Sequence, residues 1–141
     1  MADIHYLENP LPKEELLERL CPPVRNWFKD KFDDFTRPQK LAIPAIMAKE
    51  HLLLCSPTGS GKTLTAFLTV IDNLVRAALT KKLEKKVYCV YISPIKALAN
   101  DIQRNLLGPL KEIYDNYLPA STQEVKVGLR TGDTPQSERQ K

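Results

Sequence analysis

At 141 residues the chain has room for one domain, and its 43% hydrophobic and 27% charged content is that of an ordinary globular protein. A formal charge of +4 permits a polyanionic partner without demanding one. The N-terminal stretch is broken by prolines and carries acidic residues, unlike a secretory leader, and the longest apolar runs, such as residues 87–92, fall far short of a membrane span.

In chain order, residues 13–20 predict a short helix with Leu16, Leu17 and Leu20 on one face. Pro22 and Pro23 interrupt it and open a second helix to about Phe32, burying Val24, Trp27 and Phe28, because proline is tolerated in a first helical turn. Residues 35–37 are a connector. Residues 38–49 predict a third helix with Leu41, Ile43 and Ile46 inward and a bend at Pro44. The apolar run 52–55 reads as a buried strand and is followed by the loop 56–61. From Lys62 to Leu79, the residues Leu64, Phe67, Leu68, Ile71, Leu74, Val75 and Ala78 fall on one helical stripe. A lysine-rich connector leads to a second buried strand, residues 87–92. A helix from about Lys96 carries Leu98, Ile102 and Leu106, with a break or kink at Gly108-Pro109 and a further turn or two to about Tyr117. Residues 125–129 form a third strand, 131–134 a turn, and Pro135 starts a last helix with Thr134 as its N-cap.

Strands alternating with helices predict an α/β fold, a parallel sheet flanked by helices on both faces. Ligands of such sheets bind beyond the carboxyl ends of the strands. The loops at those ends, "SPTGSGK", "SPIKA" and "RTGDT", are rich in Ser, Thr, Gly, Lys and Arg and are expected along one edge. The three cysteines, Cys21, Cys55 and Cys89, form no CxxC pair, which argues against a zinc site and for buried reduced thiols.

The loop after the first strand carries chemistry. In "SPTGSGKT" the backbone N–H groups of a glycine-rich turn cradle phosphate oxygens, and the helix N-terminus behind them adds partial positive charge. Gly59 and Gly61 permit the backbone angles and the close approach, Lys62 reaches the β- and γ-phosphates, and the Thr63 hydroxyl is placed for Mg²⁺. Thr58 and Ser60 complete the turn. Ser56 stands where the general pattern has its first glycine. Upstream, Gln39 in "FTRPQ" has both an amide oxygen and an amide nitrogen, so it can meet the acceptor and donor edges of adenine.

"FTRPQ", "SPTGSGKT", "SPIKALAND" and "RTGDTPQSER" occur in that order. Together they resemble the N-terminal part of a superfamily 2 helicase of the DEAD/DExH type, and most resemble the Lhr (large helicase-related) family, over roughly residues 32–139. The resemblance implies a RecA-like P-loop fold, with residues 1–34 as a helical segment and 35–141 as an incomplete ATP-binding domain. It makes Gln39 the adenine reader, with Thr36 in the matching threonine position and Phe35 where many DEAD-box chains have proline. It assigns the ATP phosphates and Mg²⁺ to residues 56–63. Ser93, Pro94 and Lys96 in one loop, and Arg130, Thr131 and Gly132 in the other, would hold the sugar-phosphate backbone of single-stranded or partly duplex DNA or RNA. Lys96 stands where DEAD-box proteins commonly carry arginine. Phosphate contacts of this kind carry little sequence information.

A P-loop ATPase also needs an acidic residue after a second strand. No predicted strand here ends in Asp-Glu: Asp101, Asp115 and Asp133 lack the preceding apolar run, and Asp72 follows "VI" only inside a helix. The expectation is therefore a part of a larger, cytoplasmic, ATP-dependent helicase. The rest of the same polypeptide would supply the acidic box and the second RecA-like domain, and this part alone would be inactive in hydrolysis. The alternatives are a nucleotide- or nucleic-acid-binding module that never hydrolyses ATP, and a small-molecule kinase. The kinase has no need of "FTRPQ" or "SPIKALAND".

Overall fold

The computed structural model describes residues 3–139, the side chains of residues 95–98 and 139 excepted. Helix α1 spans Lys13–Arg19 and α2 spans Pro22–Lys31. Glu14 and Glu15 in the first turn of α1 and Arg19 in its last match the helix dipole. The turn between α1 and α2 is held by Arg25, whose Nε donates to the Leu17 carbonyl at 2.8 Å and whose guanidinium NH2 donates to the Leu20 carbonyl at 2.9 Å. Carbonyls in the last turn of a helix lack the usual i+4 N–H partner; that of Leu17 also accepts from the Leu20 N–H at 3.1 Å.

Helix α3 spans Arg37–Met47. Its inward face is Gln39, Ala42, Ile43 and Ala45, whereas Leu41 and Ile46, expected inward with Ile43, are half-buried. Helix α4, Lys62–Leu79, has the bounds its stripe predicts and buries Leu64, Phe67, Leu68, Ile71, Val75 and Ala78. Its buried Thr65 and Thr69 hydroxyls donate to the Gly61 and Ala66 carbonyls at 2.7 and 2.8 Å, so neither buries an unpaired polar group.

Beyond Lys96 no break occurs at Gly108-Pro109. Helix α5, Ile95–Ile102, runs through a π-helical turn, Gln103–Leu107, into α6, Gly108–Tyr117. Proline has no N–H to donate and its ring would collide with the carbonyl four residues back, so a widened turn lets the helix pass it. Gly108 suits the tight spot, since a Cβ there would meet the Gln103 carbonyl at 3.0 Å. A four-residue α7, Gln136–Arg139, ends the described chain, and the Thr134 hydroxyl, expected as its cap, accepts from the Thr131 N–H at 2.7 Å.

The expected parallel sheet is not formed: among the described residues, 52–55, 87–92 and 125–129 are extended or irregular and belong to no β-ladder. Parallel strands are stabilised by neighbours on both edges and by helices on both faces, so a segment lacking these stays single. The consequence is apolar residues in water. Leu53, Val90 and Ile92 are 87%, 73% and 88% exposed. Cys55 and Cys89, expected as buried thiols, are exposed for the same reason, while Cys21 is buried. Tyr91 and Val125 are anchored, the first with its ring 4.8 Å from that of Phe67 and the second with its N–H on the Tyr114 hydroxyl at 3.2 Å.

The core is therefore helical. Leu16, Val24, Phe28, Ile43, Leu68, Ile71, Val75 and Ile113 belong to one cluster, so α1 and α2 share it with α4 and α6. Truncating one of these side chains to alanine is expected to cost about 2–5 kcal/mol.

Candidate nucleotide-binding site

The site is built where the start of α3 meets the start of α4. Thr36 is the N-cap of α3 and forms a reciprocal capping box with Gln39. The Gln39 N–H donates to Thr36 Oγ1 at 3.4 Å, and the Thr36 N–H donates to Gln39 Oε1 at 2.9 Å. Both side chains also reach the glycine-rich loop. The Thr36 hydroxyl donates to the Ser60 carbonyl at 2.9 Å, and Gln39 Nε2 approaches the Gly61 carbonyl at 3.5 Å.

This arrangement leaves Gln39 a specific capacity. One lone pair of Oε1 is used by the capping box and one N–H of Nε2 faces Gly61, so a second lone pair and a second N–H remain. Being 4% exposed and held at both ends, the side chain has little rotamer freedom left to lose.

The loop turns at two glycines with φ of +81°, Gly59 and Gly61, the region where side chains with a Cβ are strained. Gly61 is the N-cap of α4, and no side chain caps the helix there. The first-turn N–H groups of α4 are thus left for an anion, at the positive end of an 18-residue helix. Lys62 is exposed, and its Nζ donates to the Ser56 carbonyl at 2.5 Å, folding the ammonium back over the loop. Ser56 and Ser60 share a hydroxyl–hydroxyl bond of 2.5 Å across the loop. Where the general pattern has its first glycine, this chain has a serine that ties the loop to itself.

The residues fit a polyphosphate: backbone donors, a cation and an open helix N-terminus converge. Thr63, half-buried in the first turn of α4, offers a hydroxyl to a metal, and Mg²⁺ would take its other ligands from phosphates and water. Among the described residues no group of three or more His, Cys, Asp or Glu is placed to hold a metal ion.

Within the same loop, Thr58 and Gly59 are exposed, while the remaining residues predicted from sequence lie apart from this cluster. Pro94 is the N-cap of α5, and the half-buried Ser93 hydroxyl donates to the Pro94 carbonyl at 3.5 Å. The Lys96 side chain lies outside the described residues. Arg130 and Gly132 are exposed, and the Thr131 hydroxyl accepts from the Asp133 N–H at 3.3 Å in a tight turn. Among the described residues no hydrogen bond or ion pair joins Ser93 or Arg130 to the glycine-rich loop.

Two features escaped sequence reasoning. The Ser56–Ser60 bond has no signal in a one-dimensional pattern. Asp72 does have one: four residues from Leu68 and from Arg76, it falls on the buried stripe of α4 and is 2% exposed. An acidic residue there needs buried partners.

The DEAD/DEAH box helicase family pattern matches residues 36–141. The ATP-dependent helicase Lhr-Core of Methanocaldococcus jannaschii is 46% identical across all of the chain, which spans 17% of that relative. The protein of the same name from Sulfolobus acidocaldarius is 47% identical over 99% of the chain and 16% of its own length. The Lhr helicase/uracil glycosylase of Escherichia coli is 44% identical over 95% of the chain and 9% of its own length. No solved structure matches the chain significantly. The phosphate loop, the Thr36–Gln39 box and the matched span lead to one assignment: the chain belongs to the DEAD/DEAH box helicase family and is Lhr-like.

Proposed function

We propose that this chain is the ATP-binding part of an ATP-dependent helicase, one that couples hydrolysis to translocation along, or unwinding of, single-stranded or partly duplex DNA or RNA. The observation that carries the reading is the direct hydrogen bonding of Thr36 to the Ser60 carbonyl, with Gln39 against Gly61. It supports a reading in which a base-reading side chain and a phosphate cradle meet at one junction. Gln39 reads adenine. Residues 58–63 hold the phosphates, with Lys62 moving from the Ser56 carbonyl to the β- and γ-phosphates. Thr63 contributes one ligand to Mg²⁺. The catalytic carboxylates come from elsewhere in the whole protein, as does a second RecA-like domain.

The family implies a RecA-like α/β fold, and residues 52–55, 87–92 and 125–129 are its parallel strands once their neighbours are present. The exposure of Leu53, Val90 and Ile92 supports this, since such side chains call for cover. In that sheet Ser93, Pro94 and Lys96, with Arg130, Thr131 and Gly132, line the edge that follows a nucleic-acid backbone.

A fluorescent ATP analogue titrated against the chain, Lys62→Ala and Gln39→Ala tests the nucleotide site. Both variants are expected to bind more weakly, and Gln39→Ala is expected to lose discrimination against GTP. Equal binding by all three refutes the assignment. Anisotropy of a labelled single strand tests the second interface, where Arg130→Ala should lower both affinity and salt dependence.

A further inference from the structure

We infer that Asp72 is a positioning residue for the nucleotide site, through which the N-terminal helices set the register of the phosphate-loop helix. The inference rests on the nucleotide reading above. Asp72 Oδ1 accepts from the Cys21 N–H at 2.6 Å, and Oδ2 accepts from Arg76 Nε at 2.7 Å. The Arg76 NH2 group reaches on to donate to the Arg19 carbonyl at 2.5 Å. Arg19 and Cys21 flank the turn between α1 and α2, so one buried carboxylate and its arginine clamp that turn to the middle of α4. The Cys21 thiol, buried beside Asp72, is pushed up to about 12 and stays a neutral neighbour.

Helix α4 is thus held at two points. At its start Thr36 and Gln39 hold Ser60 and Gly61, and ten residues on, about 15 Å along the axis, Asp72 and Arg76 hold the α1–α2 turn. Between these points Val24, Phe28, Leu68, Ile71 and Val75 belong to one apolar cluster. Apolar packing is non-directional and tolerates sliding and rotation. An ion pair buried at its Asp72 end and half-exposed at Arg76 adds little net stability, but its hydrogen bonds have direction and specify one register. The register of α4 decides where Lys62, Thr63 and the first-turn N–H groups stand, and displacements of about 1 Å matter to such a site. Residues 13–31 lie outside the span that the family pattern matches, yet they hold the helix on which the phosphate site is built.

Asp72→Asn tests this. Asparagine keeps the shape and an acceptor for Cys21 but sets an amide donor against Arg76. The control is Val75→Ala, a core truncation on the same helix. Binding of the fluorescent ATP analogue is measured well below each variant's melting temperature, with hydrogen exchange at the amides of residues 62–65. Asp72→Asn is expected to raise Kd about threefold to tenfold and to speed exchange at those amides. Val75→Ala should lower the melting temperature at least as much with a smaller change in Kd. An unchanged Kd in Asp72→Asn, or equal weakening in both variants, overturns the inference and leaves Asp72 a purely structural group. Should Asp72→Asn fail to fold, Arg76→Gln carries the same test, because its side chain is 48% exposed. Failure of the nucleotide reading is visible separately, as binding by the unmodified chain that does not depend on Lys62, and it would overturn both.

Discussion

Gly61 lies against Gln39: a Cβ built on Gly61 would come within 2.6 Å of Gln39 Nε2, at a φ of +81°. Gly59 has the same φ but nothing within 4 Å of its Cβ position. Gly59→Ala is therefore expected to cost about 1 kcal/mol for backbone strain alone. Gly61→Ala carries that strain and also pushes the Gln39 amide out of its place, so it should lose more stability and at least about tenfold more nucleotide affinity than Gly59→Ala. Thermal melts and analogue titrations of the pair check this; equal effects would contradict the close approach.

The Thr36 hydroxyl serves two elements at once, as cap of α3 and as donor to the Ser60 carbonyl. Thr36→Val keeps the shape and removes both bonds. It should destabilise the chain by about 1 kcal/mol, the usual worth of an N-cap, and weaken analogue binding as well. Thr36→Ser should restore most of both. A variant that lost stability without affinity would show the Ser60 bond to be idle.

Lys62 is exposed and packs into no core, so Lys62→Ala should shift stability by no more than about 0.5 kcal/mol while removing most nucleotide affinity. The 141-residue chain itself should show essentially no Lys62-dependent ATP turnover. A radiolabelled-ATP assay giving substantial Lys62-dependent hydrolysis would contradict this.

Glu112 joins α6 to α2. Its carboxylate accepts from Trp27 Nε1 at 2.6 Å and from Lys31 Nζ at 2.6 Å, and hydrogen bonding to Lys31, then to Trp27, holds its pKa below the usual glutamate range. A carboxylate with a depressed folded pKa contributes stability that is complete above its unfolded value and is lost as pH falls through the folded one. The loss should therefore begin below about pH 4.5. Because the side chain is 43% exposed, solvent screening holds the effect to about 1 kcal/mol or less. Glu112→Gln should be less stable than the unmodified chain at neutral pH, with the gap narrowing in acid. Urea titrations at several pH values read this, and a constant gap would contradict it.

Lys81 follows α4 with a φ of +56°, its N–H on the Ala78 carbonyl at 3.2 Å and that of Lys82 on the Ala77 carbonyl at 2.8 Å. Glycine is the usual residue at such a helix end. Lys81→Gly is expected to raise stability by up to about 1 kcal/mol in denaturant melts, and a loss would show that the lysine stem contributes packing.

The local features were legible in the sequence. The stripe from Leu64 to Ala78 predicts α4 to the residue, because helical periodicity is a local property. Pro22 and Pro23 mark the start of α2, whereas residues 35–37 read in the sequence as a connector and the Thr36–Gln39 capping box at the start of α3 emerges only in the structure. The glycines at 59 and 61 stand where the chain needs positive φ. The strands were legible only as tendencies. An apolar run such as residues 87–92 has the composition of a buried strand, but a strand exists only with a partner, and no ladder forms among the described residues.

The sequence by itself determined the family and the glycine-rich loop, and it marked Gln39 and Lys62 as candidate side chains of a nucleotide site, because these depend on residue type and short spacing. Tertiary structure alone decided that Thr36 and Gln39 bond to Ser60 and Gly61, that Ser56 closes on Ser60, and that Asp72 fastens the α1–α2 turn to α4. Those relationships join residues distant in the chain or fold a loop onto itself. Hydrogen-bond geometry of that kind is set by how the helices pack, and no local pattern encodes it.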